Sequence, residues 1–248
     1  MEQIVDQLTH WLQKQVQAAH VKGLLVGVSG GLDSAVVAYL IKRAFPNNSL
    51  GVIMPLKSNP ADIEHANLVV KSSQIDHLTV DLTQSHAVLY ETIEQNVQTK
   101  DNIDVLNEAQ LADANLRARL RMSTLYTIAT HYNYLVVGTD NASEWYTGYF
   151  TKYGDGGVDI LPIVPFTKEE VRDLAGHLGV PNEIIHKEPS ADLWSGQTDE
   201  AEMGTTYEHI DAYLKGQEVP LKDRQLIEQM HQRTMHKREP IKQFTLRE

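Results

Sequence analysis

Apolar residues recur at helical spacing through the start of the chain, at Ile4, Val5, Leu8, Leu12 and Val16. That period predicts a leading helix over 2–19. The pattern then changes. "GLLVGV", from Gly23, is a short continuous apolar run, the mark of a strand buried on both faces. "SAVVAYLIKRAF" reads as a buried helix stopped before Pro46. "LGVIMPL" predicts a second strand, with a helix from Pro60 to about Ser73, and "HLTVDL" a third. "NYLVVGT" is the fourth, after the helix "ADANLRARLRMSTLYTIATHY". Strands alternating with helices argue for a parallel sheet covered on both faces.

The alternation breaks between Thr139 and Pro165, a stretch rich in Gly, Asp, Lys and aromatics. A second irregular stretch, "HKEPSADLWSGQTDEAEMG", follows a helix that starts near Lys168. Long irregular segments in a compact domain are often functional. Two helical segments and a basic tail, "MHKREPIKQF", close the chain. The segments around 80–112 and 190–206 are expected to order only when nucleotides bind.

Composition narrows the class. The chain has 248 residues, 42% hydrophobic and 22% charged, which suits one α/β domain of ordinary size. No window approaches 18 consecutive apolar residues, and the start lacks the marks of a signal peptide. There is no cysteine, hence no disulfide, cysteine metal site or cysteine nucleophile; a cytoplasmic location is expected. The net charge of −11 disfavours nucleic acid and anionic membrane as partners. The 11 histidines show no H-E-x-x-H spacing.

The chemistry starts in "VGVSGGLDSA", from Val26 to Ala35. In open α/β sheets ligands bind beyond the carboxyl ends of strands, and this loop lies there. Gly30 and Gly31 allow a sharp turn with N–H groups close to a ligand, and the following helix start favours an anion. The string is neither G-x-x-x-x-G-K-[ST] nor G-x-G-x-x-G. Asp33 would repel a bare phosphate, but Mg²⁺ takes carboxylate and phosphate oxygens together. The plain alternative is an ordinary turn in which Asp33 caps a helix.

"SGGLDS" resembles the SGGxDS signature of the ATP pyrophosphatase (PP-loop) family, whose members cleave ATP between its α and β phosphates. "NLRARLRM", "GTDNASEWYTGYFTKYGDGGVDILP", "KEPSADLW" and "GQTDEAEMG" strongly resemble the ammonia-dependent NAD⁺ synthetase family, in order and over almost the whole chain. The resemblance implies a Rossmann-like doubly wound parallel sheet, of the adenine nucleotide alpha hydrolase-like kind. It implies a single domain over 1–248 with no glutaminase domain. It also implies amidation of deamido-NAD⁺ by ammonia, with ATP as co-substrate and an NAD-adenylate as intermediate. The partners implied are small molecules and a second copy in a homodimer.

Site residues follow from the same resemblance. Gly27, Val28, Ser29, Gly30, Gly31, Leu32, Asp33 and Ser34 form the ATP loop. Thr139, Lys168 and Ser190, the last often Thr in relatives, match further ATP contacts. Asp33 and Glu144 match the Mg²⁺-binding acids, and with Lys168 they form the catalytic set. Arg119, Lys152, Asp159, His236 and Lys237 match deamido-NAD⁺ contacts. Read alone, Glu144 is equally a solvated loop carboxylate and Lys168 an ordinary exposed residue. The arginines at 117, 119 and 121 are equally a solvated stripe, with Arg117 and Arg121 on one helix face and Arg119 elsewhere. "KYGDGG" is equally a turn. Ala142 stands where some relatives carry other residues. Two rivals stay open: another amide-forming ligase of the PP-loop family, and a non-catalytic nucleotide-binding module on the same fold.

Overall fold

The computed structural model describes residues 1–97, 109–188 and 198–246. Four short strands form one parallel sheet: β1 (Gly23–Gly27), β2 (Ser49–Ile53), β3 (Asp76–Thr79) and β4 (Tyr134–Val136), in the order β3-β2-β1-β4. Leu24 pairs with Ser49 on one side and Leu135 on the other. Helix α1 (Glu2–Ala18) precedes the sheet, and α2 (Leu32–Ala44) and α3 (Pro60–Ser73) make the first two crossovers. Helices α4 (Thr83–Val97) and α5 (Ala109–Tyr132) make the third. After β4 come α6 (Ala142–Thr147), α7 (Lys168–Leu178), α8 (Asn182–Ile185), α9 (Asp199–Met203), α10 (Tyr207–Leu214) and α11 (Leu221–Arg233), then a 3₁₀ turn at Met235–Lys237.

The alternation along β1 explains the layers. Leu24, Val26 and Val28 face one way, into a core with α1, α2, α3 and α7. Leu25 faces the other, with Leu50, Val52 and Val136, against Leu125, Ile128 and Ala129 of α5. A strand buried on both faces has no room for polar positions, hence the unbroken apolar run. A third, smaller cluster of Met203, Tyr207, Ile210 and Ile227 joins α9, α10 and α11. The doubly wound sheet agrees with the pattern in the sequence.

Three expectations need correction. Residues 83–97, inside the segment around 80–112 for which no regular element was expected, are helical in α4; Leu82 and the fully buried His86 tie that helix down. Residues 142–147 in the irregular stretch after β4 form α6, started by a capping box between Asn141 and Glu144. Residues 199–203 form α9. The rest of the expected ordering segments, 98–108 and 189–197, lies outside the described residues.

Topology places the site. From β1 the chain steps to β2 and β3 in one direction, while β4 lies on the other side of β1. The loops leaving β1 and β4 therefore diverge, and a crevice opens at this switch point.

Candidate active site

A cavity of about 440 Å³ opens at the switch point. Its walls include the loop from Gly27 to Ser34, the segment after β4, and α5. Gly30 sits at φ +82°, and a Cβ there would lie 2.5 Å from the Asp62 carbonyl oxygen. Only glycine suits this left-handed position pressed against the start of α3. Ser34 Oγ closes the loop: it donates to the Gly31 carbonyl at 3.1 Å and accepts from the Ser29 N–H at 3.2 Å. Gly31 is the N-cap of α2, which turns that helix start toward the cavity.

Three charged groups meet here from three elements. Lys168 Nζ lies 2.5 Å from Asp33 Oδ2 and 3.2 Å from Glu144 Oε1. Its side chain is 4% exposed, and its ammonium stands 4.8 Å from the centre of the Tyr207 ring. Burial works against the charge of Lys168, but Asp33 and Glu144 outweigh it and hold the ammonium protonated well above its ordinary range. Burial pushes the Glu144 carboxyl up to about 7, with Lys168 pulling it down and Asp33 pushing it up.

The supports are specific. Asn141 accepts the N–H groups of Ser143 and Glu144, and its Nδ2 donates to Asp33 Oδ1 at 3.0 Å. One amide thus starts α6 and holds the acid of the other loop. The buried Asp211 of α10 accepts the N–H groups of Lys168 and Glu169 and the hydroxyl of Ser143. That carboxylate joins α7 to α6. The Tyr207 hydroxyl lies 3.0 Å from Glu144 Oε1 and 3.1 Å from Asp199 Oδ2, and its single proton is shared between the two acids.

Asp33, Glu144 and Lys168, expected together, are brought together, and Thr139 lines the same cavity. Lys168 is therefore not the ordinary exposed residue that "TKEE" alone allowed. Ser190 lies outside the described residues. The deamido-NAD⁺ set is more scattered. Lys237 reaches the cavity, donating to the carbonyls of Gly148 at 2.7 Å and Phe150 at 2.5 Å. Lys152 Nζ donates to the His236 carbonyl, and Arg119 Nη2 reaches the Lys152 carbonyl at 3.4 Å. Arg119 and His236 are exposed. Asp159 is turned to the fold: its carboxylate accepts the Val136 N–H at 2.7 Å and the Tyr126 hydroxyl at 2.9 Å. Of the neighbouring arginines, Arg117 is buried and paired with Asp113 at 2.9 Å, so it is no part of a solvated stripe.

Asp140, Asn141, Lys187, Tyr207 and Asp211 had not been singled out. The N-x-x-E spacing from Asn141 to Glu144 was a legible capping signal. Lys187 pairs with Asp62 and donates to the Gly30 carbonyl at 3.3 Å, a contact across 157 positions that no local pattern announces.

Asp33 and Glu144 aim carboxylate oxygens at one point, the place of Lys168 Nζ. Among the described residues no three His, Asp or Glu gather as a metal cage. Mg²⁺ commonly takes one or two carboxylates and completes its shell with phosphate oxygens and water, so this donor pair fits it once the Lys168 ammonium turns aside to the phosphates.

A parallel sheet that sends its loops to a lysine and paired acids at the switch point is the architecture of an enzyme working on nucleotide phosphates. Comparison with known proteins narrows that class. The NAD synthase family matches residues 4–241, and the chain belongs to it. The chain is 55% identical over 234 residues to the NH3-dependent NAD⁺ synthetase of Alkaliphilus oremlandii, covering 94% of this chain and 93% of that one. A structure of NMN synthetase from Francisella tularensis superposes with a TM-score of 0.90 at 37% identity, covering 99% and 98% of the two chains. The NH3-dependent NAD synthetase from Campylobacter jejuni superposes with a TM-score of 0.77 at 26% identity, covering 98% and 99%. The chain is thus a ligase of ammonia-dependent NAD⁺ synthesis, acting on small molecules that include a nucleotide. That excludes the non-catalytic module. No described helix is long and apolar enough to cross a membrane.

Proposed function

We propose that this chain joins ammonia to the nicotinate carboxylate of deamido-NAD⁺ in two half-reactions. The carboxylate attacks the α-phosphorus of ATP, pyrophosphate leaves, and an NAD-adenylate forms. Ammonia then attacks the acyl carbon, AMP leaves, and NAD⁺ results. The observation that carries this reading is the Lys168 ammonium, buried between Asp33 and Glu144 at the switch point. A carboxylate approaching a triphosphate brings anions together, and a preorganised cation lowers that barrier without reorganising.

The roles divide by element. N–H groups from Gly27 to Ser34 face the phosphates at the start of α2, and Thr139 and Ser190 add hydroxyl donors. Lys168 neutralises charge at the α-phosphate. Asp33 and Glu144 would hold Mg²⁺, which when bound screens phosphate oxygens from the attacking carboxylate. Arg119, Lys152, His236 and Lys237 serve the dinucleotide, whose pyrophosphate suits bases. Asp159, matched by resemblance to a ribose contact, would reach it only by giving up the fold contacts it makes.

The reading extends to a homodimer acting in the cytoplasm as one catalytic unit over 1–248. Helix α4 presents Leu89, Ile93 and Val97 at spacings of four, each about 40% exposed, an apolar stripe suited to a two-fold contact. A cysteine-free chain fits a reducing compartment.

The test is AMP and NAD⁺ release with ATP, Mg²⁺, ammonium and deamido-NAD⁺, beside Asp33→Asn. Wild type should form both products together, and the variant should fall by about 10²-fold or more. ATP binding without AMP at any ammonium concentration would overturn the reading. The Francisella tularensis likeness favours a second reading, in which the acceptor is the corresponding mononucleotide. Running both acceptors side by side decides between them by kcat/KM.

A further inference from the structure

A second cavity, of about 410 Å³, lies behind α6 and shares no wall residue with the one at the switch point. That volume is at the low end of the range for small-molecule sites. Trp145 and Tyr146 of α6 give it aromatic walls, and His231 of α11 stacks on Tyr146 with 4.1 Å between ring centres. Phe150 covers one face of Trp145 at 5.2 Å, and no second ring stacks on that tryptophan among the described residues.

The charged groups of the wall are Arg238, Lys215 and Glu170. Glu170 Oε2 accepts the N–H and the hydroxyl of Thr167, at 2.8 and 3.1 Å, in the capping box of α7. Lys215 Nζ pairs at 2.8 Å with the exposed Glu169, a contact that solvent weakens. Arg238 is the fixed charge. Its Nη1 donates to the Trp145 carbonyl at 3.0 Å and to Thr234 Oγ1 at 2.9 Å, and its Nη2 donates to the His231 carbonyl at 2.6 Å. None of these bonds uses Nε. Two cations against one acid make the wall locally positive, in a chain whose net charge is −11. Flat rings beside a held guanidinium suit a flat anion.

We propose that this cavity is a second ligand site, for a small planar aromatic carboxylate, and that its occupant slows catalysis. The ring lies against Trp145 and the carboxylate meets Arg238. The two cavities are walled by the same segments. Trp145 follows Glu144, Thr167 precedes Lys168, and Arg238 follows Lys237. Arg238 clasps α6 through the Trp145 carbonyl, while Lys237 clasps the carbonyls of Gly148 and Phe150 beside the catalytic cavity. A carboxylate on Arg238 competes with the Trp145 carbonyl for the same guanidinium. The bound acid therefore favours a loosened clasp, in which Glu144 and Lys237 lose their setting. Binding here goes beyond the amidation reading and does not depend on which acceptor is amidated.

Calorimetry and tryptophan fluorescence test the site, with nicotinate and benzoate as probes and nicotinamide as the uncharged control. Both acids should bind with a dissociation constant of about 1 mM or tighter, and nicotinamide about tenfold more weakly or worse. Nicotinate mononucleotide, set beside nicotinate, tells a free acid from the same ring carried on a nucleotide. The fluorescence change should vanish in Trp145→Phe while the heat of binding stays, which assigns it among the chain's three tryptophans. Arg238→Met should weaken both acids about tenfold. Val164→Phe fills the cavity from a wall outside α6, so it should abolish binding and leave turnover without acid near that of wild type. In the AMP assay, saturating benzoate should lower kcat of wild type about fivefold and leave Val164→Phe unaffected. Acids that bind no better than nicotinamide would overturn the proposal, as would binding that survives Val164→Phe or leaves kcat unchanged. Inhibition that excess deamido-NAD⁺ relieves and Val164→Phe retains would place the acid in the catalytic cavity and overturn it too. If Arg238→Met does not fold, Val164→Phe decides. Failure of wild type to release AMP with either acceptor would instead remove the synthetase reading and leave the binding measurements standing.

Discussion

The end of the site proposed for ATP and the end proposed for the dinucleotide are built by different means. At the ATP end, Asp33, Glu144 and Lys168 arrive from α2, α6 and α7 and are held by Asn141, Tyr207 and Asp211. Every one of these side chains is at least half-buried. At the dinucleotide end, Arg119, Lys152 and His236 run along the surface in contacts between side chain and backbone. The difference follows from what each end must do. Phosphoryl chemistry needs charges preorganised out of water, which takes several packed elements. A dinucleotide needs a long surface to lie on, and in the proposed homodimer the second subunit would supply the rest of it.

Lys168→Met attacks the comparison hardest. It leaves two buried carboxylates without their cation, so the apo protein should lose about 3–5 kcal/mol. AMP release should fall by about 10³-fold or more. Denaturant melts and the AMP assay read these separately, and a stable, active variant would mean that the ATP end is not organised by charge.

The pH dependence of stability comes next. The Glu144 carboxyl stands at about 7 in the folded protein against 4.5 as its ordinary value. The folded state therefore binds the proton more tightly than the unfolded state. Stability from this group is fully present below about 4.5 and is lost as pH climbs to about 7, on the order of 1–3 kcal/mol in the metal-free protein. Urea midpoints across that window should show the decline, and Glu144→Gln should flatten it.

Asp159→Ala sharpens the other side. It strips acceptors from the Val136 N–H and the Tyr126 hydroxyl, so stability should drop by about 1–3 kcal/mol. A rise in KM for deamido-NAD⁺ with no loss of stability would return Asp159 to the substrate. The smallest expected effect on stability belongs to Arg119→Ala. Its melting temperature should stay within about 1 °C, as for exposed positions away from packed features. Its KM for deamido-NAD⁺ should rise about tenfold, with KM for ATP unchanged.

Much of this molecule was legible along the chain. The apolar runs of β1 and β2 and the α2 helix between them are local patterns, and so is the loop at Gly30. Less legible was α4: its inward contacts are few, and polar residues punctuate it, so no clear period stands out. The burial of Lys168 was also hidden, because "TKEE" carries no mark of the Asp33 carboxylate 135 positions away.

The alternation of strands and helices, the glycine turn after β1 and the family motifs are each written in neighbouring residues, and so were readable along the chain. Long-range packing alone makes Asn141 tie the two switch-point loops together, makes Asp159 anchor β4, and buries Asp140 with an oxygen that has no partner among the described residues. Those facts depend on which loops strand order brings face to face, and on how far each side chain is drawn out of water.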